Sequence, residues 1–143
     1  MAQIDIRPFQ EADQSSVVAL WTAVFGYAAA HNDPLEIIRH KLALQRELFF
    51  VALHEGIIVG TVMGGYDGHR GWIYSLAVSP SVRRQGIGAA LMNHVEQELE
   101  RLGSPKINLQ VVASNSAVVD FYKKLGYATE ERISMGKILR PSS

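Results

Sequence analysis

The sequence predicts an α+β fold, in which a mixed α/β sheet carries helices on its faces. Segments with the two-residue apolar period of strands interleave with segments of helical spacing along the chain. Apolar runs around glycine turns indicate antiparallel hairpins, and a later strand, helix and strand indicate a parallel βαβ unit. The 143 residues suit a single domain, 1–143, because two cores would each be too small.

The N-terminal third is predicted to hold one strand and two helices. The alternation from Ile4 to Arg7 is that of a short strand. Apolar residues recur at helical spacing from Val17 to Phe25, and Gly26 marks a helix end. The run Asn32 to Pro34 is typical of a helix cap with proline in the first turn, which predicts a second helix through about Arg46.

Three strands joined by tight turns are predicted next. Leu48–Leu53 and Ile57–Met63 flank the turn His54-Glu55-Gly56 and form a hairpin. A second turn, Tyr66 to Gly71, leads into the strand Trp72–Val78.

The C-terminal half is predicted to alternate helix and strand. A helix over Gly86–Leu102 precedes the strand Lys106–Val112, which should run parallel to the strand before the helix. A helix striped from Val118 to Leu125 follows, and Tyr127–Leu139 is expected to form one or two strands. The sheet would then have six to seven strands with about four helices. We expect the tail Pro141-Ser142-Ser143 to be frayed.

Composition excludes several classes of protein. Fourteen basic and fourteen acidic residues give a formal net charge of zero, so we expect neither nucleic acid nor a membrane surface as a partner. The chain has no cysteine, which excludes disulfides, thiolate zinc sites and a cysteine nucleophile. No signal pattern precedes the first strand, and the uncharged stretch Gln14–Asn32 is broken by polar residues. We therefore expect a cytoplasmic protein.

No metal site and no serine hydrolase site is predicted. The five histidines show no ligand spacing, and His94 with Glu98 on one helix face would supply only two ligands. The Gly-x-Ser-x-Gly pattern of hydrolases is absent from the sequence.

The most informative motif lies between the strand Trp72–Val78 and the following helix. Gly86 and Gly88 fall in the first helical turn, where backbone N–H groups are unpaired and the helix dipole is positive. Without β-carbons a phosphate can approach those donors, and Arg83 and Arg84 add positive charge. The pattern indicates a polyphosphate site; the alternative is a glycine-rich helix start with solvated arginines.

Two nucleotide-binding patterns do not fit this motif. A dinucleotide fold places its first glycine directly after the strand, whereas Ser79 to Gln85 intervene here, and the strand Lys106–Val112 carries no acidic residue for a ribose. The Gly-Lys-Ser/Thr of a P-loop is also missing.

Three spaced motifs carry a resemblance to a known family. Arg83-x-x-Gly86-x-Gly88 resembles the Arg/Gln-x-x-Gly-x-Gly/Ala signature of the GNAT superfamily, the acetyl-CoA-dependent N-acetyltransferases. Leu76-Ala77-Val78-x-Pro80 is similar to that family's fourth strand, and the run from Asn115 through Phe121-Tyr122 to Gly126-Tyr127 is similar to its last motif. The segment Gly60–Gly71 further resembles the small bacterial acetyltransferases of the YpeA type.

The resemblance implies acetyl-CoA as co-substrate and a GNAT-like fold with a splayed parallel pair of strands. The pantetheine arm would lie between the splayed strands, and N–H groups of the helix start would hold the pyrophosphate. The implied cofactor-binding residues are Leu76, Ala77, Val78, Arg83, Arg84, Gln85, Gly86, Ile87, Gly88, Ala89, Asn115 and Tyr122. For Asn115 the alternative is a plain helix cap, which is compatible with a CoA contact.

The resemblance also implies a reaction in which an amine attacks the thioester directly in a ternary complex. An acyl-cysteine intermediate is excluded because the chain has no cysteine. The oxyanion would be met by a backbone N–H near Leu76 to Val78, and Tyr122 matches the family tyrosine that protonates the leaving thiolate. The alternative for Tyr122 is packing within its helical stripe.

The general base remains open at this stage. Many GNAT members carry a glutamate on the fourth strand, whereas Trp72 to Ser75 offers none. The candidates are Asp67, Tyr66, Tyr74 and an ordered water. Asp67 would serve in catalysis or amine binding, although Asp67-Gly68 is also an ordinary turn pair. We interpret His69, Arg70 and His31 as solvated or capping residues.

The sequence therefore predicts transfer of an acetyl group from acetyl-CoA to an amine of a small molecule or a peptide. A non-catalytic CoA-binding sensor of the same fold and a domain for a different phosphate ligand are the alternatives. The identity of the amine does not follow from the sequence, because specificity resides in loops. A homodimer is compatible with the resemblance.

Overall fold

Five strands form one mixed sheet whose spatial order follows the chain. The computed structural model describes residues 3–26 and 33–139, so the expectations for His31, Asn32 and the tail Pro141–Ser143 lie outside it. The strands are β1 (Asp5–Pro8), β2 (Phe49–His54), β3 (Ile57–Tyr66), β4 (Gly71–Val78) and β5 (Ile107–Asn108). Neighbours pair antiparallel except β4 and β5, which pair in parallel as the βαβ pattern predicts.

Within the residues that the structure describes, four α-helices cover the two faces of this sheet. They are α1 (Gln14–Phe25), α2 (Pro34–Ala43), α3 (Ile87–Arg101) and α4 (Ser116–Lys124). Phe49 and Val51 of β2 pack with the residues of α1 and α2, whereas Phe50 and Ala52 pack with those of α3. Successive side chains of a strand point to opposite faces, so the sheet is buried between two helical layers. In the described ranges, no helix combines the length and apolar character that crossing a bilayer requires.

Glycines on β3 allow α3 to lie close to the sheet. A β-carbon on Gly60 would lie 2.9 Å from Leu91 Cδ1, and one on Gly64 would lie 2.7 Å from Val95 Cγ2. Both distances are shorter than carbon atoms tolerate, so a larger residue would force Leu91 or Val95 of α3 to move. The close packing brings the first turn of α3 next to the end of β4.

The second helix ends earlier than the sequence predicts, at Ala43 instead of about Arg46. The chain turns away from the helix at Gln45, whose φ is 55°. The Gln45 side chain binds the end of β3 beyond Met63, where β2 no longer pairs with it. It accepts from Tyr66 N at 2.9 Å and donates to Tyr66 O at 2.8 Å. Lys41 Nζ donates to Gly64 O in the same part of β3 at 2.5 Å, and burial lowers the pKa of this lysine.

The sheet of the described residues has five strands, whereas the sequence predicted six to seven. The prediction differs from the structure in two segments, both at the C-terminal edge of the sheet. The strand expected over Lys106–Val112 is paired only at Ile107–Asn108, and no strand forms in the segment Tyr127–Leu139. Side chains bridge that segment to the chain around β5: Glu130 bonds Lys106 and Asn108, and Ser134 bonds Gln110. These contacts replace a backbone ladder, so the alternating apolar pattern of the segment is not used for pairing.

Candidate active site

The parallel strands β4 and β5 separate directly after their first two residue pairs. Gly71 pairs with Ile107 and Trp72 with Asn108, and no further pair joins the two strands within the described chain. A groove of about 1530 Å³ opens beside β5, and Trp72, Asn108 and Tyr122 are among the residues that line it, whereas Leu76–Val78 and the first turn of α3 are not. The split agrees with the splayed pair that the sequence motifs imply.

A β-bulge interrupts β4 beside this split. Thr61 of β3 pairs with Ala77 and Met63 pairs with Tyr74, so β4 has one more residue than β3 over this stretch. Ser75 lies within it at φ 50°, in the left-handed region that a residue with a side chain rarely adopts. Such a conformation costs about 1–3 kcal/mol and persists only where neighbouring groups hold it. The bulge changes the direction of the backbone groups after Ser75.

Two hydrogen bonds in series connect α1 to the bulge through Thr61. Trp21 Nε1 donates to Thr61 Oγ1 at 2.8 Å, and Thr61 Oγ1 donates to the carbonyl oxygen of Ser75 at 3.0 Å. Sequence reasoning missed this arrangement. The available signal was a threonine within the apolar run of β3, since a buried hydroxyl needs a partner.

The first turn of α3 provides an exposed set of backbone donors. Gly86 is its N-cap residue, at φ 80°, and a β-carbon there would meet nothing within 4 Å. The preceding residue Arg84 is also left-handed, at φ 66°, and the chain from Arg83 to Gly86 is solvent-exposed. Consecutive turns of this kind direct N–H groups into a concave anion site. Of the other sequence-predicted residues, Ile87 and Ala89 belong to this turn, and Gln85 directly precedes its N-cap.

The second glycine of the motif also allows close packing. A β-carbon on Gly88 would lie 3.2 Å from Phe121 Cζ and 3.6 Å from Val78 Cγ2. Its missing side chain therefore makes room for α4 and β4, and its part in phosphate binding stays a prediction. The side chain of Arg83 reaches back toward β4, with Nε donating to Val78 O at 3.4 Å.

Helix α4 begins at Asn115 and brings Tyr122 into the groove. Asn115 Oδ1 accepts from Val118 N at 3.3 Å, so this residue is an N-cap. Tyr122 is 9% exposed and sits edge-on between the rings of Phe121 and Tyr127, with centroids 5.1 and 5.7 Å away. Burial raises the pKa of Tyr122 to about 12.

The hydroxyl of Tyr122 forms no hydrogen bond with any described residue, which distinguishes it from the neighbouring Tyr127. Tyr127 donates to Glu96 Oε2 at 2.5 Å. Burial and that carboxylate raise the pKa of Tyr127 far above the usual range. One phenol of this pair is thus engaged, and the other remains available to a ligand.

The candidate bases differ in how they are engaged. Asp67 accepts from His69 N and Arg70 N, both at 2.8 Å, and these hydrogen bonds lower the pKa of its exposed carboxyl group. The Tyr66 hydroxyl donates to Gly103 O at 3.3 Å. Tyr74 is 49% exposed, and its pKa is raised by burial and by the charge of Asp67. The turn thus holds an ionised carboxylate close to an exposed phenol.

Asn108 is a further polar residue that lines the groove. Asn108 Nδ2 donates to Glu130 at 2.8 Å, while Asn108 Oδ1 is buried without a partner in the described chain. Among residues 3–26 and 33–139, no cluster of three or more side chains could hold a metal ion.

Comparison with known proteins gives one consistent family. The acetyltransferase (GNAT) family matches residues 10–127. A protein of Yersinia enterocolitica named as an acetyltransferase is 44% identical over 136 residues, 95% of this chain and 96% of that protein.

Solved structures agree with the family match. Ard1 from Thermoplasma volcanium is similar with a TM-score of 0.76 and 27% identity, covering 87% of this chain and 82% of that one. The aminoglycoside N-acetyltransferase AAC(6')-Iy, solved in complex with CoA, has the same fold with a TM-score of 0.80 at 16% identity, covering 98% and 97% of the two chains.

Proposed function

The chain belongs to the acetyltransferase (GNAT) family, and we propose that it acetylates an amine of a small molecule or peptide. The premise is that it is an N-acetyltransferase with acetyl-CoA as co-substrate. In the proposed reaction the amine attacks acetyl-CoA directly in a ternary complex. The observation that carries the proposal is the separation of β4 from β5 before the bulge at Ser75, which leaves the β5-facing edge of β4 open where the chain leads toward the first turn of α3.

The residues fit the co-substrate at two points. Open space beside Gly86 admits a diphosphate to the unpaired N–H groups of the first turn of α3, with Arg83 and Arg84 close in sequence to supply charge. The separated strands leave the β5-facing edge of Leu76 to Val78 without a strand partner, where it can bind the amide groups of a pantetheine arm. Asn115 caps α4 beside this path, and a CoA contact through its exposed side chain is compatible with capping.

The reaction needs one nucleophile, one oxyanion donor and two proton transfers. The lone pair of the neutral amine attacks the thioester carbon, and the carbonyl oxygen becomes an oxyanion that a backbone N–H beyond Ser75 stabilises. Collapse re-forms the C=O bond and breaks the C–S bond, whose electron pair leaves on sulfur. The nitrogen loses a proton to solvent, and the products are the N-acetyl compound and the CoA thiol.

Tyr122 is the proposed acid for the leaving sulfur. Burial raises its pKa to about 12, so the phenol is still protonated over the pH range in which an amine of pKa ~8–10.4 loses its proton. The hydroxyl is not occupied by a described residue, and solvent restores its proton after the thiol has left.

Asp67 is the proposed anchor for the incoming amine. Two backbone N–H groups hold its pKa below the usual range, which makes it a weak base and a lasting negative charge. It therefore suits binding a protonated amine better than accepting the amine's proton. Deprotonation is left to water, with exposed Tyr74 close to the carboxylate.

The test is a thiol-release assay with acetyl-CoA over a panel of small amines and peptide N-termini. We expect at least one acceptor to release thiol and to yield an N-acetyl product by mass spectrometry. In Tyr122→Phe we expect turnover to fall roughly tenfold to a hundredfold, while calorimetry gives the same affinity for CoA.

Tyr127→Phe is the matched control, because it removes a phenol from the same pocket that is already bound to Glu96. A protein that binds acetyl-CoA and acetylates none of the amines would contradict the proposed reaction. Equal turnover in Tyr122→Phe and the wild type would contradict the acid assignment alone.

A further inference from the structure

The chemistry of Trp21, Thr61 and Ser75 decides which group donates in each of their two hydrogen bonds. An indole N–H can only donate, so Trp21 Nε1 occupies a lone pair of Thr61 Oγ1. A threonine hydroxyl has one proton, and the carbonyl oxygen of Ser75 can only accept it. The proton of Thr61 is therefore directed at Ser75.

Rigid packing keeps this pair of hydrogen bonds in place. Trp21 and Thr61 are each 0% exposed, so water does not compete for either group. The indole stacks on Phe49 with centroids 5.8 Å apart and an interplanar angle of 18°, and Phe49 stacks in turn on Phe9 at 4.4 Å. The hydroxyl of Thr61 is consequently held by the core between α1 and the sheet.

Peptide geometry transmits this constraint to the next N–H group. The peptide bond between Ser75 and Leu76 is planar and trans, so the N–H of Leu76 points opposite to the C=O of Ser75. The carbonyl is directed at Thr61 of β3, and β4 lies between β3 and β5. The side chain of Thr61 lies on the α1 face of the sheet, so the N–H of Leu76 is directed away from that face and from β3, toward the side on which β5 has separated from β4.

We propose that Thr61, oriented by Trp21, is a positioning residue that sets the direction of the Leu76 N–H as the donor to the reaction's oxyanion. The inference rests on the proposed function and adds to it the residues that hold the donor. Neither Thr61 nor Trp21 touches the substrate; both act through the peptide group after Ser75. The left-handed backbone of Ser75 is a second, independent observation, because this conformation is unfavourable and persists only where neighbouring groups hold it.

The test compares Thr61→Val, which keeps the shape and removes both hydrogen bonds, with Thr61→Ser, which keeps the hydroxyl. We expect Thr61→Val to lower kcat roughly tenfold or more, because losing a whole oxyanion donor costs about a hundredfold to a thousandfold. The KM for acetyl-CoA should change by less than about threefold, and Thr61→Ser should restore most of kcat. Thr22→Val is the matched control, since that exposed hydroxyl bonds only Val18 O of its own helix.

Backbone NMR gives a readout that does not need turnover. The amide resonances of Ser75 and Leu76 should shift or broaden in Thr61→Val, but not in Thr61→Ser or Thr22→Val. If Thr61→Val does not fold, Trp21→Phe replaces it, and we expect a smaller loss of kcat with the same amide shifts.

Three results would overturn the inference: wild-type kcat in the folded valine variant, equal losses in the valine and serine variants, or unmoved Leu76 amide resonances. A wild-type protein that acetylates no amine would instead refute the proposed function. In that case the amide shifts would still decide whether Thr61 holds the bulge.

Discussion

At the scale of single residues, the two tyrosines of the groove differ in their hydrogen bonds. Tyr127 is bound to Glu96, and its ring packs edge-on against Tyr122. Tyr122 is buried with a hydroxyl that no described residue binds, which keeps it a neutral donor. The difference follows from one carboxylate on α3 that reaches one phenol and not the other.

The raised pKa of Tyr122 predicts the pH profile of the acetyl transfer. The acid form is present below its pKa and is lost only as the pH rises through about 12, whereas an ordinary tyrosine would lose it near pH 10. We expect kcat/KM to rise with pH as the acceptor amine loses its proton, and then to stay level to at least about pH 11. Initial rates in a constant-ionic-strength buffer series check this.

A decline of the rate centred near pH 10 would contradict the assignment, provided that circular dichroism shows the protein still folded there. Tyr122→Phe should give the same rising limb at a lower rate, because the limb belongs to the amine.

At the scale of elements, the approach of α3 to β3 decides where the first turn of α3 lies relative to the end of β4. Gly60 and Gly64 leave no room for a β-carbon under this helix, and Gly88 leaves none beneath Phe121 of α4. The glycines that look alike in sequence thus divide into those needed for packing and Gly86, which faces open space.

Gly64→Ala should destabilise the protein by about 1–3 kcal/mol. Its β-carbon would lie 2.7 Å from Val95 Cγ2, and a valine in a helix has almost no alternative rotamer with which to move away. Gly136→Ala is the matched control, since its β-carbon would meet nothing within 4 Å and its φ is not positive. Urea unfolding followed by tryptophan fluorescence measures both. Equal stabilities of the two variants would show that α3 does not press on β3 as closely as described.

At the scale of the whole molecule, the sheet is firm in its centre and loosely closed at its C-terminal edge. Strands β2, β3 and β4 are covered on both faces, whereas Tyr127–Leu139 is held to the chain around β5 by side chains. Ile133 and Met135 are 89% and 90% exposed. Exposed ion pairs such as Lys106–Glu130 add little stability, because solvent screens both charges.

Hydrogen exchange should follow this division. Amides of β3, which are bonded on both sides, should exchange with the slowest rates, close to those of global unfolding. Amides of 128–139 should exchange within seconds to minutes, because that segment has no backbone ladder. Exchange followed by mass spectrometry gives both rates in one experiment. Strong protection of 128–139 would mean that these residues form strands in solution.

Local chemistry along the chain was sufficient for the order of strands and helices as far as α4, for the parallel β4–β5 pair and for the start of α3 at Gly86. Periodicity, caps and glycine stops act over a few residues, and Asp33 and Asn115 cap α2 and α4 as their sequence positions indicate. The family motif also predicted that Tyr122 lies on the helix that Asn115 caps, because the spacing of these two residues is set within a single helix.

The bulge at Ser75, the hold of Thr61 on it, the packing function of Gly88 and the early end of β5 required the packed molecule. Each depends on groups that are distant in sequence, such as Trp21, Thr61 and Ser75, and on the register between strands. A serine carries no local sign that its φ will be positive, and an apolar period does not tell whether a strand will find a partner. Pairing and packing set these features, because their free energy arises only when the distant segments meet.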